Sequence, residues 1–133
     1  AQLSNELLRN LYLITPNETE AELLTGTKVT DEQSALKAAT QLHAKGVDVV
    51  IITMGAAGAF LLENGNSELI KAPKVDAVDT TAAGDTFNGA LAVALSEGRA
   101  IRESIAFANK AASISVTRIG AQSSVPYRKE ITN

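Results

Sequence analysis

Two kinds of group meet in the stretch Asp79-Thr-Thr-Ala-Ala-Gly-Asp85-Thr-Phe-Asn-Gly-Ala-Leu-Ala92: backbone amides without large side chains, and one carboxylate. Phe87, Leu91 and Leu95 recur every four residues, which predicts a helix starting at about Gly84, and Gly98 is placed to end it. The small residues Thr81, Ala82, Ala83 and Gly84 then present free N–H groups at a helix N-terminus, an end that carries partial positive charge and binds phosphate. Asp85 falls in the first turn of that helix. A carboxylate beside a phosphate site repels the phosphate, so it has little use for binding alone. It makes sense as a base that takes a proton from an alcohol while the amides stabilise a phosphoryl group in transfer. The plain alternative is that Asp85 complements the helix dipole, worth ~0.5 kcal/mol.

Three further groups of residues can carry chemistry. Asn17 and Glu20 stand at N-cap and N3 spacing, which makes a reciprocal helix cap worth about 1 kcal/mol. Thr53-Met54-Gly55-Ala56-Ala57-Gly58 follows an apolar run, and its glycines allow backbone to approach a ligand, or simply form a tight turn between strands. No lysine accompanies it in the Walker arrangement, so it is not a P-loop. The tail Arg118-x-Gly120-Ala-Gln-x-Ser124-x-Pro126 reads by itself as a polar loop with a turn before the proline.

The Asp79–Ala92 stretch closely resembles the second signature of the ribokinase-like (PfkB) sugar kinases, and Ala82-Ala83 is similar to the ribokinase branch of that family. The other groups follow in the family's order: N-x-x-E, T-x-G-x-x-G, D-T-x-A-A-G-D, R-x-G-A-Q-x-S. The resemblance implies a three-layer, Rossmann-like α/β domain with a mostly parallel sheet plus a β-hairpin, and an enzyme phosphorylating D-ribose at O5 from ATP. It makes Asp85 the base, in contact with the sugar, and Ala82, Ala83, Gly84 and Asp85 the anion hole. It assigns Asn17, Thr53, Met54, Gly55, Ala56, Ala57, Gly58, Gly84 and Asn109 to the nucleotide, with Asn109 at the adenine. Glu20 would order Mg²⁺ through water, which suits an ion that keeps several waters. Asp79, Thr81, Ser115, Arg118, Gly120 and Ser124 would hold K⁺, mostly through main-chain oxygens. Lys110, next to Asn109, departs from the alanine-rich relatives.

Members of that family are usually more than twice as long as these 133 residues. The expectation is a C-terminal half, its sugar-contacting, lid-bearing N-terminal half absent; the start at Ala1 rather than Met points the same way. The lid makes the family's usual dimer contact. Other expected readings are another sugar or nucleoside kinase of the family, and a non-catalytic nucleotide-binding fragment.

The elements that must position these residues are legible in outline. Leu3, Leu7, Leu8 and Leu11 suggest an opening helix, and Leu11 to Thr15 a buried strand closed by Pro16. A helix runs from Asn17 to about Leu24. Thr30-Asp-Glu-Gln33 has the form of a capping box opening a helix that carries Leu36, Ala39 and Leu42 inward and stops at Gly46. Val47 to Thr53 is β-branched apart from Asp48, the mark of a strand covered on both faces. Ala59–Glu63 and Glu68–Ala72 flank the hairpin signal Asn64-Gly65, and Val75–Val78 leads into the central motif. A last helix spans about Ile101 to Thr117, with Ile101, Ile105, Ala108 and Ala112 on one stripe. Helices alternating with strands argue one α/β domain over residues 1–133.

Composition excludes several function classes. At 45% hydrophobic the chain can bury a core, and a net charge of −3 with pI about 5.1 gives no footprint for nucleic acid or an acidic membrane surface. There is no cysteine, hence no disulfide framework or thiolate metal site, which fits a reducing compartment such as the cytoplasm. The single His43 rules out a multi-histidine centre and reads as a helix-flank residue. Val49 to Leu62, the longest uncharged run, is too short to span a membrane, and no signal peptide is visible.

Overall fold

The computed structural model describes residues 12–73 and 83–115. The predicted opening helix and the Val75–Val78 segment lie outside the described residues. Packing divides the chain into two compact units, one of residues 1–55 and 59–69, the other of residues 56–58 and 70–133.

The first unit is built on a mixed sheet of four strands in the order β1-β2-β3-β4: β1 (Leu13–Ile14), β2 (Val49–Thr53), β3 (Ala59–Glu63) and β4 (Asn66–Ile70). The parallel part is β1 against β2, in register Leu13 to Val49 and Ile14 to Val50; β3 runs antiparallel to β2, with Thr53 opposite Ala59. β2 is buried from Val49 to Ile52, as a β-branched strand covered on both faces should be. Val50 and Ile52, with their cross-strand partners Leu62 and Phe60, form the face that packs on the helices.

Those helices are α1 (Glu18–Thr25) and α2 (Glu32–Ala44). α1 starts at the reciprocal cap read from the sequence and ends at Gly26, whose φ of 76° takes the left-handed conformation a C-terminal cap needs. α2 corrects the sequence reading twice. Its cap is Asp31 with Ser34, not Thr30 with Gln33: the Asp31 carboxylate accepts from the Ser34 amide at 2.8 Å, and Ser34 Oγ accepts from the Thr30 and Asp31 amides. The bond from the Ser34 amide, with a second donated by Ser34 Oγ to the same carboxylate at 2.7 Å, holds the Asp31 pKa below the ordinary carboxylate value. The buried stripe is Ala35, Ala38, Ala39 and Leu42, spaced three and four apart, and Leu36 lies one position off it, 40% exposed. His43, expected as an ordinary flank residue, donates from Nδ1 to the Val47 carbonyl at 2.9 Å and so ties α2 to the start of β2. Lys45 reaches back to the Leu24 carbonyl and Thr27 to Gln41, fixing the two helices to one another.

The hairpin forms as its sequence demands. Asn64 and Gly65 take φ of 50° and 79°, the double left-handed turn that matches strand twist. Because the loop has only two residues, β4 begins at Asn66, two residues before the expected Glu68, and ends at Ile70 rather than Ala72.

In the second unit α3 (Ala83–Ser96) and α4 (Ile101–Ser115) pack together through Ala94, Phe107 and Ala111, with Ala90 and Ile114 at the margin. Gly98, at φ 82°, makes the reversal between them, and the Arg99 guanidinium lies 4.9 Å over the Phe107 ring. Ile105 and Ala108 of the expected α4 stripe are buried, Ile101 and Ala112 half-buried.

The register of α2 predicts unequal costs for its two leucines. Leu42→Ala should destabilise by roughly 2–5 kcal/mol, as a buried deletion does. Leu36→Ala should stay within about 0.5 kcal/mol. Urea unfolding followed by circular dichroism measures both, and equal losses would restore Leu36 to the core.

Candidate functional site

In the first unit the sheet brings the N-x-x-E residues to the end of β2. The Thr53 amide donates to the Pro16 carbonyl at 2.9 Å, and Asn17 and Thr53 form a parallel bridge. Asn17, Glu20 and Thr53 therefore gather where the parallel pair β1 and β2 ends, the carboxyl edge at which open α/β sheets take ligands. Pro16 explains part of this: it cannot donate into the ladder, so the chain leaves the sheet there, and Asn17 turns it into α1.

The Asn17 side chain accepts from the Glu20 amide at 2.8 Å, and Glu20 Oε1 accepts from the Asn17 amide at 2.9 Å. The cap thus fixes both side chains in exposed positions while Glu20 Oε2 takes no part in it. A carboxylate held this way suits contact with a cation through water better than direct capture. Among the described residues no three His, Asp or Glu side chains cluster to hold a metal directly.

Thr53-Met-Gly-Ala-Ala-Gly58 forms a single 3-10 turn, Gly55–Ala57, between β2 and β3. Gly55 takes φ 57° and Gly58 φ 113°, so both glycines stand where a side chain is strained. Met54 is buried, and Ala56 and Ala57 are exposed. The two glycines differ in their surroundings. Among the described residues a Cβ on Gly55 would meet nothing within 4 Å, whereas one on Gly58 would overlap the Ile70 carbonyl oxygen and press on Lys71 and Ala72.

In the second unit α3 begins at Ala83, with Gly84 and Asp85 in its first turn and both exposed. Among the described residues no heavy atom stands within 4 Å of a Cβ built on Gly84. Thr86, next to Asp85, is buried, and its Oγ1 is without a hydrogen-bond partner among the described residues. Sequence reasoning passed over it. The signal was a hydroxyl beside Phe87, on the face that had to be buried. Asn109 is 4% exposed on α4, and its Nδ2 donates to the Ile70 carbonyl at 2.9 Å. Ser115 is fully buried at the end of α4, and its hydroxyl donates to the Ala112 carbonyl at 2.9 Å. Asp79, Thr81, Ala82, Arg118, Gly120 and Ser124 lie outside the described residues.

The sequence profile of the pfkB family carbohydrate kinases matches residues 1–128. The chain belongs to that family. A ribokinase of Haemophilus influenzae is 57% identical over 128 residues, which are 96% of this chain and 42% of that protein. The crystal structure of a Thermotoga maritima ribokinase superposes with a TM-score of 0.87 at 46% identity, covering 97% of this chain and 43% of that one. The Arabidopsis thaliana ribokinase complexed with ribose and ATP gives a TM-score of 0.89 at 40% identity, covering 98% and 43%. The fold is thus the ribokinase-like α/β fold, and the chain spans less than half the length of these relatives.

The contrast between the two glycines is testable. Gly55→Ala pays only for its left-handed backbone, ~1–2 kcal/mol. Gly58→Ala adds an overlap with backbone that typically costs a further 1–3 kcal/mol or so, roughly as overpacking does. Urea midpoints of the two variants should differ accordingly, and coincident midpoints would contradict the contact at Gly58.

Proposed function

We propose that this chain is the nucleotide-binding, base-bearing part of a ribokinase, which transfers the γ-phosphoryl group of ATP to O5 of D-ribose. The observation that carries the reading is Asp85 in the first, exposed turn of a helix that begins at Ala83, in a chain 57% identical to a ribokinase. The Asp85 carboxylate takes the proton of the sugar's primary hydroxyl as O5 attacks the γ-phosphorus. The bond from that phosphorus to the bridging oxygen breaks, and ADP leaves. Amides from Ala82 to Asp85 stabilise charge on the phosphoryl oxygens during transfer. Thr53 to Gly58, with Asn17, bind the nucleotide phosphates and ribose, and Asn109 contacts the base.

Glu20, with Oε2 outside the cap, would hold Mg²⁺ through water; when bound, that ion neutralises phosphate charge. The K⁺ set would be Asp79, Thr81, Ser115, Arg118, Gly120 and Ser124, acting mainly through carbonyl oxygens. In this reading residues 1–133 are one domain, the complete enzyme is a cytoplasmic homodimer joined through its lid, and the partners of the site are a sugar and a nucleotide. Among the described residues no helix is long and apolar enough to cross a membrane.

A second reading is that these 133 residues by themselves bind nucleotide without turning sugar over. Orientation and closure supply as much as ~7–11 kcal/mol of a barrier in favourable cases, and the sugar contacts and lid that would provide them belong to the other half. Calorimetry and a ribose phosphorylation assay on the 133-residue chain should therefore give weak ATP binding and negligible turnover. Brisk turnover by this chain alone would mean that the other half is dispensable.

For the polypeptide that also carries the sugar half, Asp85→Asn keeps size and helix but removes the base. Its turnover should fall by about 10²- to 10⁴-fold, with nucleotide affinity unchanged or slightly improved. Wild-type turnover in the Asn variant would remove Asp85 from the mechanism.

A further inference from the structure

We propose that Asn109 is a positioning residue for the glycine turn, acting through one backbone carbonyl, that of Ile70. Asparagine is a poor residue for a helix interior, and a buried amide is costly unless it is bonded. Asn109 is 4% exposed in the middle of α4, and its Nδ2 donates at 2.9 Å to the Ile70 carbonyl, 39 residues away in sequence. That same carbonyl oxygen is the nearest atom to the place where a Cβ on Gly58 would stand, with the Ala72 nitrogen at 2.8 Å and Lys71 Cα at 2.9 Å. Gly58 therefore rests directly on the backbone that Asn109 grips. One turn further along α4, the buried Ser113 hydroxyl makes a long contact, 3.5 Å, to the Pro73 carbonyl. Two polar side chains four residues apart on one helix face thus hold the chain as it leaves β4. Among the described residues β4 lies at the edge of the sheet, held by a strand on one side only.

The consequence is mechanical. A shift of the Ile70 carbonyl moves the surface against which Gly58 is packed, and with it the end of the turn Gly55–Ala57 that Gly58 follows. The Asn109 amide sets the place of the turn from a distance, whatever contact the residue also makes with a base. The inference rests on reading that turn as part of the nucleotide site, and the experiment separates the two.

Asn109→Asp keeps the shape but replaces the donor with a carboxylate facing a carbonyl. In the ligand-free chain, amide hydrogen exchange at Ala57, Gly58 and Ala59 should quicken by about five- to tenfold, the worth of one hydrogen bond. Exchange in α2 serves as the reference and should not change. If the Asp variant does not fold, Asn109→Ala replaces it with the same expectation. Affinity for ATP and for GTP should fall by the same factor, because a displaced turn does not depend on the base. The double variant with Gly58→Ala should lose less than the sum of the two single losses, since both act on one carbonyl. Unchanged exchange at 57–59, a loss confined to ATP, or strict additivity would each overturn the proposal. Failure of the unaltered chain to bind either nucleotide would overturn the nucleotide reading, while the exchange result would still decide whether Asn109 holds the turn.

Discussion

The pairing of β1 with β2 is the interaction on which the first unit depends. β1 has only two residues, so its parallel ladder is short, and the hydrogen bond from the Thr53 amide to the Pro16 carbonyl extends it beyond the last strand residue. Without that bond Asn17 would have no fixed relation to Thr53. β2 can serve as the anchor because it is buried on both faces, and a strand so placed resists fraying. The chemistry-bearing residues sit at the strand ends, where the backbone is released from the ladder but still held by its last bonds.

Much of this was legible in the residues. The reciprocal cap of Asn17 with Glu20, the buried run ending at Thr53, the Asn64-Gly65 turn and the helix beginning near Gly84 each have a local cause. A side chain bonds its own backbone, a β-branched run fills a strand, or a glycine takes a positive φ. What escaped has a non-local or competitive cause. The α2 cap moved to Asp31 because Asp31 and Ser34 can satisfy one another in four ways, which Thr30 and Gln33 cannot match. Leu36 faces outward because the stripe that fits the sheet is made of alanines, whose small side chains bring helix and strand close, and a larger residue carries no extra vote. β4 shifted by two residues because a two-residue loop leaves no slack.

The site shows the same division. The first turn holding Asp85, the glycines of the 3-10 turn and the Asn17–Glu20 cap are features of contiguous sequence, and pattern alone located them. The bond between Asn109 and Ile70 joins residues 39 apart, and neither has a local pattern that names the other. Nor does a sequence state that the space beside Gly58 is filled by backbone while that beside Gly55 is open. Both glycines look alike in a motif. Only packing distinguishes a glycine kept for its dihedral angle from one kept because another chain segment occupies the place of a side chain.

The antiparallel register of β2 and β3 has a practical side. Thr53 is opposite Ala59 and Val49 is opposite Glu63, so the hairpin tip at Asn64 and Gly65 belongs to the start of β2. Asn17 and Thr53 belong to its end. Four residue steps of ~3.4 Å separate the two ends, roughly 14 Å of rigid strand. Both tip residues are exposed, and among the described residues a Cβ on Gly65 would meet nothing within 4 Å. That tip is a natural attachment point for a dye, an affinity handle or a surface linkage. Immobilised there, the chain would present the edge that carries Asn17 and Thr53 outward.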